Sequence, residues 1–190
     1  MRTNKLMIMV LLFGSSFFVS CMPAVLSYYL PEAEGGTVVT TMCGAGGPKD
    51  KIEFSNDGVN ISIKSYKIKD GVHFQIVIAI PEGKEVQIRT PLVKAFIPAI
   101  ENALEVSLIP QVYSDVRPSW EIGDLLAGEL VETRWGTHDK EFYMSIKINI
   151  PKPESIKLIF PVFYINNRQW NLPEITFKKA TWTGILPLNC

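Results

Sequence analysis

The stretch Lys140-Glu141-Phe142-Tyr143-Met144-Ser145-Ile146-Lys147-Ile148-Asn149-Ile150 decides the fold class. Phe142, Met144, Ile146, Ile148 and Ile150 fall at every second position, with Tyr143, Ser145, Lys147 and Asn149 between them. Side chains of a strand alternate between its two faces, so this period marks a strand with one face buried. On its N-terminal side, Gly136-Thr137-His138-Asp139 reads as the turn of a hairpin whose other arm is Glu129 to Trp135. On its C-terminal side, Ile156 to Ile165 is a further strand pattern interrupted by Pro161. Proline cannot donate to a ladder, so the chain there bends, bulges or lies at an edge. Asn166-Asn167 then turns into Trp170, and Ile175 to Trp182 is the last strand.

The same period recurs upstream. Ile52-Glu53-Phe54, the turn Asn56-Asp57-Gly58, and then Val59, Ile61 and Ile63 alternating with Asn60, Ser62 and Lys64 read as strand, turn, strand. Asp70-Gly71 is another hairpin signal, followed by Phe74, Ile76, Ile78 and Ile80 alternating with Gln75, Val77 and Ala79. Between positions 91 and 131 the pattern is weaker. Ala99 to Leu108 fits a short helix or a strand, and the apolar spacing at 122, 125, 126 and 130 is helical. Gly123 and Gly128 oppose a stable helix there, so at most one or two short helical turns are expected. About eight short strands with frequent turns predict an all-β chain: a single immunoglobulin-like β-sandwich, with a closed barrel as the alternative.

The N-terminus carries a different message. Leu6 to Val19 holds no charged residue and follows Arg2 and Lys5. The run is short of the roughly 20 residues a membrane span needs and has the length of a signal-peptide core. Phe18-Val19-Ser20-Cys21 resembles the lipobox of bacterial lipoproteins, with Phe18 in place of the usual Leu. That resemblance implies removal of residues 1–20 and acylation of Cys21, whose thiolate is the nucleophile that accepts lipid. It also implies a cell-envelope address, with the membrane as partner through the N-terminal lipid. Met22, rather than Asp, implies the outer membrane facing the periplasm in a double-membraned cell. Two other readings of the run stay open: an ordinary cleaved signal, or an uncleaved anchor, because the chain remains uncharged to Leu30. Residues 21–51, rich in Pro and Gly, read as a lipidated N-terminus and flexible lead-in, and 52–190 as the sandwich domain.

Three cysteines are present. With Cys21 lipidated, Cys43 and Cys190 remain, and two thiols in an exported chain favour a disulfide. Such a bridge would close most of the domain and remove about 4–5 kcal/mol of unfolded-state entropy. Two free, buried thiols are the other reading. The pair lacks the spacing and the nearby histidines of a metal site, and no metal or cofactor is expected.

Charge excludes one class of function. Basic and acidic residues balance at 19 each, and loss of Arg2 and Lys5 leaves a slight acidic excess. Nucleic-acid binding needs a basic surplus to neutralise phosphates, and none is present. The Gly44-Ala45-Gly46-Gly47 cluster lacks the lysine and hydroxyl of a phosphate loop. Neither a nucleophile elbow nor a zinc-protease motif occurs. His138, beside Asp139, reads as a solvated turn, with a binding or acid–base role as the sharper alternative. His73 reads as a partly exposed edge residue. Nothing selects a catalytic pair from Glu101, Glu105, Asp115, Glu121 and Asp124. The four tryptophans, Trp120, Trp135, Trp170 and Trp182, read as core packing, with a sugar- or peptide-binding platform as the sharper alternative; Trp120, beside Pro118, is the first candidate for an exposed one. The expectation is an envelope lipoprotein that binds a protein or glycan partner, or assembles with others, with a periplasmic hydrolase as the alternative.

Overall fold

The computed structural model describes residues 21–41, 46–111, 120–133 and 136–187. In chain order the first strands are β1 (Cys21–Glu32), β2 (Thr37–Val39), β3 (Lys51–Asn56), β4 (Val59–Ile68) and β5 (Gly71–Ile80). Next come β6 (Glu85–Ile88), β7 (Leu92–Phe96), β8 (Leu104–Ser107), β9 (Ile109–Gln111), β10 (Leu125–Ala127) and β11 (Leu130–Thr133). The last are β12 (Gly136–Ile148), β13 (Ser155–Ile159), β14 (Phe163–Ile165), β15 (Arg168–Trp170) and β16 (Ile175–Pro187). No helix occurs among the described residues, so the irregular stretch crosses between sheets as strands and turns.

The architecture is an all-β sandwich of antiparallel sheets, with no closed barrel among the described residues. A seven-stranded sheet runs β11-β12-β5-β4-β3-β2, with β9 on the free edge of β12. A five-stranded sheet runs β1-β16-β13-β7-β8. Phe74 of β5 meets Phe177 of β16 edge-on, ring centroids 4.8 Å apart, so the inner faces of these two sheets share one core. A third sheet, β10-β6-β14-β15, goes beyond the two-sheet arrangement expected.

Prolines explain why there are more strands than expected. Pro81 separates β5 from β6, Pro91 separates β6 from β7, Pro161 separates β13 from β14, and Pro173 separates β15 from β16. At each of these the chain changes sheet. A residue without an N–H stops the ladder, and the strand that follows pairs elsewhere. The apparent strand from Ile156 to Ile165 is therefore two strands in two sheets.

The turns at Asn56-Asp57-Gly58 and Asn166-Asn167 form as read. Asp57 (φ 51°) with Gly58 (φ 84°), and Asn166 (φ 46°) with Asn167 (φ 64°), hold the left-handed pairs that tight hairpins require. Gly71 matters for space instead. A Cβ there would stand 2.0 Å from the Ile148 carbonyl oxygen, where the β4–β5 hairpin meets the end of β12.

Two expectations are corrected. The stretch 21–51 is not a flexible lead-in over its described residues. β1 pairs with β16 along its whole length, and β2 pairs with β3. Tyr29 is 2% exposed, and its hydroxyl donates to the Pro153 carbonyl at 2.9 Å. Burial, and then the Glu154 carboxylate, push that phenol above its ordinary pKa. Pro23 and Pro31 read as loop punctuation, yet they sit on an edge strand, where a missing donor costs little. The β11–β12 hairpin also turns earlier than expected. Thr133 opposes Gly136, so His138 lies within β12 opposite Val131 rather than in a turn.

Candidate functional site

The residues singled out from the sequence do not converge. Cys21 opens β1, while Cys43 and Cys190 lie outside the described residues. Trp120 is not an exposed platform: it is half-buried on the core, its ring edge-on to Phe142 at 5.8 Å. Phe142 belongs to the strongest strand pattern in the chain, and its apolar face accounts for the tryptophan's position. His138 is exposed and borders an open hollow of about 420 Å³ with Val131, Asp139, Lys140 and Glu141. Neighbouring residues of an extended strand point to opposite faces, so His138 and Asp139 do not aim at one point.

The outer face of the seven-stranded sheet does collect polar groups. Strand alternation sends Ile52, Phe54, Ile61, Ile63, Ile76 and Ile78 into the core. The intervening residues therefore share the opposite face. Register aligns them in rows. Ser55, Asn60, Ala79 and Glu141 form one, and Thr37, Glu53, Ser62, Val77 and Tyr143 the next. Val39, Lys51, Lys64, Gln75 and Ser145 follow, and then Tyr66, His73 and Lys147. The small side chains in the middle leave a trough of about 610 Å³ bounded by Gly35, Thr37, Lys51, Glu53 and Glu141. A second hollow of about 250 Å³ continues it toward Thr41, Lys64, Tyr66 and Gln75.

Two ion pairs lie in this surface. Lys51 pairs with Glu53 at 2.6 Å, and Lys64 with the buried Asp50 at 3.6 Å. Asp50 also accepts from the Thr41 amide at 3.2 Å and the Thr41 hydroxyl at 3.0 Å. The Tyr143 hydroxyl donates to Glu141. Lys64 lies 4.6 Å over the Tyr66 ring, and the Tyr66 hydroxyl donates to Gln75 at 2.9 Å. What the trough offers a ligand is hydroxyl and amide groups on its floor, with the Glu141 carboxylate at its border.

The two carboxylates that border the trough stand on strands that are not neighbours. Glu53 on β3 and Glu141 on β12 are separated by β4 and β5, three strand spacings or about 14 Å between backbones. Among the described residues no cluster of His, Cys, Asp and Glu could hold a metal ion, and no helix is long and apolar enough to cross a membrane.

His73 belongs to this face, on the central strand β5 rather than at an edge. It packs beside Tyr66, with ring centroids 6.0 Å apart, and opposite Lys147. Burial, and then the Lys147 ammonium, depress its imidazole below the ordinary pKa. Folding thus disfavours the protonated ring. The associated stability is present above the unfolded-chain value of about 6.5 and is lost as pH falls through the lower folded value. The urea midpoint is expected to fall between about pH 7.5 and about pH 5, and to fall less in His73→Gln. Equal falls in both proteins would remove His73 from the account.

Sequence reasoning recorded the polar alternation of Asn60, Ser62, Lys64, Gln75 and Tyr143 without joining it into a site, because the order of strands in the sheet was not visible. No family model, curated protein or solved structure matches this chain.

Proposed function

We propose that the protein is a cell-envelope lipoprotein, held to a membrane by acylated Cys21, that acts as a binding module through the outer face of its seven-stranded sheet. In a double-membraned cell it faces the periplasm from the outer membrane. The observation that carries the binding reading is the trough between Thr37 and Glu141, about 610 Å³, with Asn60, Ser62 and Ala79 on its floor. Hydroxyl and amide side chains on a small-residue floor suit a polyhydroxylated, uncharged partner, so an envelope glycan is the favoured ligand. The address rests on the uncharged run 6–19 and on Val19-Ser20-Cys21.

Ser62 and Ala79 lie at the centre of the floor, so Ser62→Trp with Ala79→Arg fills it from the solvent side and leaves the core untouched. The parent is expected to co-sediment with purified cell-wall glycan and the double variant to lose most of that binding. Equal binding by both, or binding only to an envelope protein, would move the site or change the ligand class.

The bridge between Cys43 and Cys190 belongs to the same reading. The Trp182 indole N–H donates to the Gly46 carbonyl at 2.5 Å, which ties the loop following Cys43 to the strand preceding Cys190. Alkylation of the unfolded protein without reductant is expected to leave both thiols unmodified. Two added alkyl groups on them would show them free.

A further inference from the structure

We infer that the outer half of the β1–β16 ribbon lies on the lipid surface, so that attachment at Cys21 is a rigid seat rather than a swinging tether. This rests on the reading of Cys21 as acylated.

β1 pairs with β16 from Cys21–Pro187 to Glu32–Thr176, but β13 accompanies β16 only as far as Lys178. Beyond that point the two strands project as a ribbon about 23 Å long from Tyr28 to Cys21. Charge stops at its base. Glu32 pairs with Lys178 and Glu154 with Lys179, and neither Cys21 to Pro31 nor Ala180 to Pro187 contains a charged residue.

The ribbon's two faces differ. Leu26, Tyr28 and Trp182 are half-buried, and Trp182 is bonded to the 46–47 turn. On the other face Pro23, Val25, Ser27, Thr181 and Thr183 are all exposed, Val25 at 71%. Such a face can approach a lipid headgroup layer without desolvating a charge.

The occupant follows from what precedes the ribbon. The apolar run 6–19 ends one residue before Cys21, and β1 begins at Cys21 itself. No spacer separates the acylated residue from the ribbon, so the acyl chains enter the bilayer at its tip. Backbone groups on the two free edges would be costly to bury in hydrocarbon, which places the ribbon in the headgroup layer instead of across the membrane.

The test uses the full chain in its acylated form, with p-benzoylphenylalanine in place of Val25 or, separately, Thr183. Asn60, on the large sheet, is the control position. Each protein is reconstituted in vesicles of phosphatidylethanolamine and phosphatidylglycerol and irradiated, and the adducts are weighed. Lipid adducts at 25 and 183, with none at 60, are expected. A crosslinked second copy, or no adduct at either ribbon position while Cys21 carries its acyl mass, overturns the seat and leaves the address standing. Absence of acyl mass on Cys21 overturns both.

Discussion

Deleting residues 22–32, with Cys21 joined directly to Ala33, is expected to abolish cooperative folding. The segment is the whole of β1 after its first residue, and among the described residues it is the one strand that pairs with β16 beyond Lys178. It removes Tyr29, whose ring is buried and whose hydroxyl bonds across 124 residues to Pro153. Truncating one buried aromatic to alanine costs about 3–5 kcal/mol, against about 5–15 kcal/mol for a whole domain. The deletion adds the loss of buried Pro31 and of a strand-length ladder, and it bares the edge of β16 for aggregation. Urea or thermal unfolding is the measurement, and a transition near the parent midpoint would restore the flexible lead-in. Tyr29→Ala alone is expected to cost about 3–4 kcal/mol and to keep the transition cooperative.

Phe177→Ala is expected to cost about 3–5 kcal/mol and to lower the melting temperature by about 10 °C. Phe177 is fully buried, and its ring lies 4.8 Å from Phe74 at an interplanar angle of 62°. The pair joins the five-stranded sheet to the seven-stranded one, so the truncation opens a cavity where the two inner faces meet. The edge-on contact adds about 0.5–1.5 kcal/mol beyond area. Phe74→Ala should cost a similar amount, and the double variant less than the sum, because each single change already removes the shared contact. A cost below about 1 kcal/mol for Phe177→Ala would mean that these two faces do not pack.

Particular elements show how far local pattern reaches. The alternation in Phe142 to Ile148 predicts a strand, and β12 is that strand, buried on the predicted face. The Asp57-Gly58 and Asn166-Asn167 turns form where small polar residues and glycine allow positive φ. Trp120, the first candidate for an exposed tryptophan, is half-buried against Phe142, as the core-packing reading of the tryptophans has it. His138 moved from turn to strand because the register between β11 and β12 is set by pairing, not by composition. Cys43 and Cys190 lie outside the described residues, so the bridge between them is still a proposal.

From sequence alone came the all-β class, the side of each main strand that faces the core, and the chemical case for a lipid on Cys21. All three are local, for they depend on residues within a turn or two of one another. Which strands pair, that Met22 to Glu32 is a strand paired along its length with β16, and that Asn60, Ser62, Ala79 and Glu141 share one trough were decided only by the tertiary structure. Those facts come from pairing between segments far apart in the chain, and a period of two is the same whichever strand lies alongside.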